Sequence, residues 1–177
     1  MSKSMLKTRL TIGAKYLIYV LIVYFSYILQ VTPSLFSIAG VRPVLVLPAV
    51  ICIAMFEGEM AGALIGAFGG LLCDLSSALI YGFNGLLFLI LCTAAGLLVF
   101  HLMRLTLTNA LIFSLIALAV RDLLEFYFLY VLWGYEGASI IFLQKFLPSI
   151  FYSLLFTFPY FWLVRKIKAR WELLLEK

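Results

Sequence analysis

The chain has 177 residues, 66% of them hydrophobic and 12% charged, with a mean hydropathy of +1.16. Those values exclude an ordinary soluble domain and place the chain among polytopic membrane proteins. The 13 Lys plus Arg against 8 Asp plus Glu form no basic face for nucleic acid. They collect instead at the two ends, at Lys3, Lys7, Arg9 and Lys15 and at Arg165, Lys166, Lys168 and Arg170, as expected when both termini are anchored in the cytoplasm.

Residues 16–30 are apolar and aromatic, extend weakly to Phe36, and read as a first span that Pro33 ends. Ser37-Ile38-Ala39 superficially resembles a signal-peptide cleavage site, but the apolar region is long for such a peptide, so the segment is read as an uncleaved anchor. Arg42-Pro43 leads into a second run, residues 44–56 with Pro48 inside it, and a third run, residues 60–73, stops at Asp74. A full crossing needs about 20 residues, so both runs are short. Joined at Glu57-Gly58-Glu59, they form either two tilted crossings or a re-entrant pair buried in protein. In both cases the chain returns to the same side.

A fourth span covers residues 86–103, with His101 and Arg104 at its exit. The fifth covers residues 110–133 and carries Arg121, Asp122 and Glu125. A turn at Trp133-Gly134-Tyr135-Glu136-Gly137 leads to the sixth, residues 140–164, where Lys145 can snorkel and Pro148 and Pro159 are expected to bend the helix. The basic tail from Arg165 is expected to continue as a helix at the cytoplasmic surface. The expected fold is thus an all-α polytopic membrane protein of about six transmembrane helices. Residues 1–177 form a single integral membrane domain, with basic cytoplasmic segments at 1–15 and 165–177, and no loop between spans can hold a soluble domain.

Three features stand out. Gly58, Gly62, Gly66 and Gly70 recur every fourth residue, and the next step is Asp74. Glycine in a helix costs roughly 1 kcal/mol relative to alanine, so the stripe is expected to serve close packing, within the bundle or against a partner helix. The second feature is the trio Arg121, Asp122 and Glu125. Each charge near a bilayer centre costs about 2.5–3.5 kcal/mol, and all three lie on one side of a helix. Arg121 and Glu125, one turn apart, are expected to pair, as a lock for the bundle, a polar contact with a partner helix, or an ion or solute path. The third is Asp74, which either caps a helix or faces outer water, or else closes a polar pocket or meets a partner. Cys52, Cys73 and Cys92 lie in or beside apolar runs without metal or redox spacing, and His101 is the only histidine. No nucleotide-binding, metalloprotease or nucleophile-elbow motif occurs. The expectation is a protein that is not an enzyme, with no catalytic residue, cofactor or metal.

The order of features, from a basic N-terminus and first span through Arg42-Pro43, Glu57-Gly58, GALIGAFGGLLCDL ending at Leu75, and Gly82-Phe83-Asn84-Gly85-Leu86, resembles the rod shape-determining protein MreD family. Its specific part is confined to residues 42–86, with Arg42, Pro43 and Gly82 as family-motif positions. Family members commonly carry an acidic residue after the Arg-Pro pair, where this chain has Val44. The resemblance implies a bacterial inner-membrane scaffold of cell-wall elongation, working in peptidoglycan synthesis. It implies association with a single-span MreC-like protein and with MreB-like, RodA-like and transpeptidase components. It also implies a fold similar to the substrate-binding component of energy-coupling-factor transporters, which supplies an alternative function: binding a vitamin or other small solute for transport.

Overall fold

The structure, a computed structural model, describes residues 3–32, 41–77, 80–134, 140 and 142–175. The expectations placed on Pro33, on residues 36–39 and on Glu136 lie outside them. The described chain forms six helical elements: α1 (Lys3–Val31), α2 (Val46–Glu57), α3 (Glu59–Asp74), α4 (Phe83–His101), α5 (Leu107–Phe126) and a final rod broken into α6 (Leu147–Leu155) and α7 (Thr157–Leu175). A π-turn at Tyr127–Val131 prolongs α5, and another at Phe142–Phe146 precedes α6. Four segments are long and apolar enough to cross a membrane: Ile12–Val31, Phe83–His101, Leu107–Val131 and Phe142–Trp171.

α2 and α3 fall short of that length. With 12 and 16 residues they reach only about 18 and 24 Å, against a hydrocarbon slab of about 30 Å. α2 is apolar all round, and its residues from Val46 to Phe56 are all buried, as expected of a helix with neighbours on every side. Those neighbours are α1, α3, α4, α5 and α7.

The unpaired backbone groups at the ends of so enclosed a helix are satisfied by other elements. At the N-terminal end the Val44 N–H donates to Ser153 Oγ at 2.7 Å, and the Leu45 and Val46 N–H groups donate to Gln30 Oε1 at 2.9 and 3.2 Å. At the C-terminal end Lys168 Nζ donates to the Phe56 carbonyl at 2.7 Å. The Glu57 carboxylate accepts from Lys15 Nζ at 2.5 Å and from Tyr19 Oη at 2.8 Å. These contacts mark two polar layers separated, along α1 from Lys15 to Gln30, by about 22 Å. The α2–α3 hairpin runs from one layer to the other and back. Lys15 and Lys168 place the two ends of the chain at the same end of the bundle.

The glycine stripe differs from its expected form at one end. Gly58 is not on α3; it is the break between α2 and α3, at φ +88°, a left-handed conformation that L side chains resist. The others pack inside the bundle. A Cβ at Gly62 would meet Ala54 of α2, and one at Gly66 would meet Cys92 Sγ of α4 at 2.7 Å. One at Gly70 would overlap the Asn84 carbonyl at the start of α4. Two glycines outside the four-residue spacing take part as well. Gly69 faces Val46 and Val50 of α2, and Gly96 of α4 abuts the backbone of Gly58 and Glu59. The opposite side of α3 exposes Met60 and Leu64, a lipid-facing surface.

The prolines open helices rather than bend them midway. Pro148 is the second residue of α6 and Pro159 the third of α7, so the break falls at Phe156, before the second of them. α7 then runs unbroken through the basic tail to Leu175.

Close α3–α4 packing sets an expectation. Gly70→Ala should destabilise the purified protein by about 1–3 kcal/mol through overpacking, lowering its melting temperature in detergent, whereas Gly13→Ala, with nothing within 4 Å of a Cβ, should not. Equal melting temperatures for the two variants would show that α3 and α4 can separate freely.

Candidate functional site

The polar layer opposite the chain termini gathers most of the residues singled out above. Asp74, the last residue of α3, is buried and accepts four hydrogen bonds. Its Oδ2 takes the Gly82 and Gly85 N–H groups at 3.0 and 3.1 Å, and its Oδ1 takes the Asn84 N–H at 3.0 Å and Asn84 Nδ2 at 2.9 Å. Three of the four donors are backbone groups at the beginning of α4, where the helix dipole also favours a negative charge. Asp74 therefore caps α4 from the end of the preceding helix. Gly82 has φ +95°, and this conformation sets the entry to the helix.

The charged trio lies in the same layer, on α5. Arg121 Nη1 donates to Asp122 Oδ1 at 2.7 Å and Nη2 to Glu125 Oε2 at 2.5 Å. The pairing expected between Arg121 and Glu125 is there, but it is half of a bridge. The guanidinium also holds Asp122, whose side chain is 1% exposed. One cation faces two carboxylates, and the trio carries a net charge of −1. Arg121 Nε, also buried, has no partner among the described residues.

Around the trio is an open cavity of about 600 Å³. Gln30 of α1, Ser76 and Ser77 after α3, and Asp122 and Glu125 of α5 line it, together with Arg42, Pro43 and Val44 on the approach to α2 and Lys145 in the π-turn before α6. Arg42 and Lys145 are exposed. Ser149 of α6 donates to the Arg42 carbonyl at 2.9 Å and so ties the two cation-bearing segments together. Phe126, Tyr130, Phe142 and Phe146 form an aromatic cluster between the two π-turns, with ring centroids 5.0–6.0 Å apart. A π-turn widens a helix by one residue, and both of these stand at the cavity's edge.

Sequence reasoning found the trio, Asp74, Arg42 and Pro43 one by one. It missed that they converge, and it missed Lys145 and Gln30 as members. Lys145 read as a snorkelling residue, and nothing in the spacing joins it to Arg42. The other polar layer, Lys15 with Tyr19, Glu57 and Lys168, went unseen for the same reason. Cys52, Cys73 and Cys92 are buried and free, and Cys92 packs against Gly66. His101 is exposed, with Nδ1 3.1 Å from the carbonyl of Leu97 one turn earlier. Among the described residues, no three His, Cys, Asp or Glu side chains come together as a metal site.

The family model described as rod shape-determining protein MreD matches residues 11–167. No curated protein and no solved structure matches the chain.

The bridge geometry predicts a ranking. Arg121→Met leaves two carboxylates facing each other, one of them fully buried, and should cost about 3–5 kcal/mol. Glu125→Gln leaves the Arg121–Asp122 pair intact and should cost about 1 kcal/mol. Thermal unfolding of both variants in detergent checks the order; a larger loss for Glu125→Gln would show that Asp122 is not held by the guanidinium.

Proposed function

This chain belongs to the rod shape-determining protein MreD family, and on that premise we propose that it is a non-enzymatic scaffold of the cell-wall elongation machinery. Its place would be the bacterial inner membrane, with both termini in the cytoplasm. The family assigns it a role in rod shape determination as a structural component. The observation that carries the finer reading is the extent of the match, because residues 11–167 are those that build the bundle. Protein partners fit the distribution of polar groups. Asp74 is consumed in capping α4, and Arg121 in bridging its two neighbours. The helix faces directed outward are largely apolar, with Leu86 and Ile90 on α4 and Met60 and Leu64 on α3 exposed. In lipid such faces associate by shape and close packing, which suits a single-span MreC-like protein, with MreB-like, RodA-like and transpeptidase components further out. The positive-inside distribution of Lys and Arg supports the orientation.

One observation favours a second reading, in which the bundle binds a small solute, as the substrate-binding component of an energy-coupling-factor transporter does. That observation is the polar cavity. The two readings separate in one experiment. Affinity purification of the tagged chain from its own membranes should recover an MreC-like protein, and depletion of the chain should round the cells. Recovery of a bound vitamin with no wall-synthesis partner, in cells that keep their rod shape, would overturn the scaffold in favour of the transporter.

A further inference from the structure

Beside the polar cavity runs an apolar groove of about 710 Å³ between α1 and the final rod. Ile18, Leu21, Phe25 and Leu29 form one wall, Pro159 and Leu163 the other. Leu45 lines it as well, and the two linings are consecutive in the chain at Leu29–Gln30 and at Val44–Leu45. The two linings therefore neighbour each other along α1 and along the approach to α2. From Ile18 to Leu29 the groove follows α1 for about 16 Å, most of the distance of about 22 Å between the two polar layers. Its lining is almost wholly apolar, as hydrocarbon chains require.

The cavity supplies the matching head-group chemistry. Arg42 and Lys145 make no ion pair among the described residues, and both stand exposed on its lining. Deeper in, Asp122 and Glu125 offer carboxylate oxygens, already half-neutralised by Arg121. Three cations against two carboxylates give the lining a net charge of +1. A group with one negative charge at the rim and hydrogen-bond donors reaching inward complements it.

We propose that cavity and groove together hold one phosphodiester lipid whose head group carries hydrogen-bond donors. Its phosphate sits between Arg42 and Lys145, its head-group donors face Glu125, and its hydrocarbon chains lie between α1 and α7. A head group of the glycerol or ethanolamine kind has such donors, and choline has none. The inference stands apart from the choice of protein partners, since it uses only the cavity and the groove.

Native mass spectrometry of the full chain in a neutral detergent, with dioleoyl lipids added one at a time, tests it. Phosphatidylglycerol and phosphatidylethanolamine should be retained about tenfold more tightly than phosphatidylcholine. The double variant Arg42→Gln/Lys145→Gln should bring them down to the phosphatidylcholine level without changing the melting temperature, because neither side chain supports the fold. Ile28→Trp, which crowds the groove from its exposed edge, should weaken lipid retention in the same way. Equal retention of phosphatidylcholine, or unchanged retention by the double variant, would overturn the proposal. So would competition by free glycerol phosphate as effective as the whole lipid, which would make the cavity a site for a water-soluble anion.

Discussion

Burial of a 12-residue helix is the constraint on which the rest of the bundle depends. α2 is too short to cross a bilayer alone and has no polar face to turn toward water. It is stable only where other helices cover every side and other side chains satisfy both ends. Gln30 meets its first N–H groups, Ser153 meets the N–H of Val44 just before them, and Lys168 meets a carbonyl at its last turn. An unsatisfied backbone group in hydrocarbon costs several kcal/mol, so each of these contacts matters more than its counterpart in a soluble protein. Because the caps come from α1, α6 and α7, they also fix the heights of those helices relative to α2, and thus the positions of the two polar layers.

The glycine surface of α3 follows from that arrangement. A helix shorter than the slab gains by approaching its neighbours closely, since dispersion between backbones replaces contacts that lipid would make poorly. α3 lies against α4 at Gly66 and Gly70 and against α2 at Gly62 and Gly69. The winding of a four-residue repeat around a helix of 3.6 residues per turn is what brings two different neighbours onto one row of glycines. Asp74 closes the same α3–α4 pair at its far end.

The long apolar spans were legible in the sequence because hydropathy alone identifies them, and the shortness of the second and third runs was legible by counting. Ends were less so. The first apolar span, read from residue 16, is Ile12–Val31 of a helix that begins at Lys3, because basic residues are compatible with a helix that projects beyond the apolar slab. Gly58 kept the spacing of the stripe but not its helix, since a periodic pattern does not reveal a positive φ. The Arg121–Glu125 pair was readable from its one-turn spacing, and the share taken by Asp122 was not, because neighbouring residues on a helix point about 100° apart and only a long guanidinium spans both. The cavity was invisible: Arg42, Arg121 and Lys145 are brought together by tertiary packing, and no local periodicity encodes that. The likeness to energy-coupling-factor components finds no solved structure to support it, while the family itself does match.

The caps of α2 bear on the order in which the molecule is made. The helix leaves the ribosome early, yet Ser153 and Lys168, which complete its two ends, are more than ninety residues away and are synthesised last. Until they arrive, α2 has only Gln30 at its N-terminal end, no side chain on the carbonyl of its last turn, and an apolar surface with too few neighbours. Insertion of the chain into the membrane and completion of its fold are therefore separate events. The hairpin has to be sheltered by lipid head groups, by α1 or by the insertion machinery during synthesis, and a chain truncated before α7 would be inserted but unfinished.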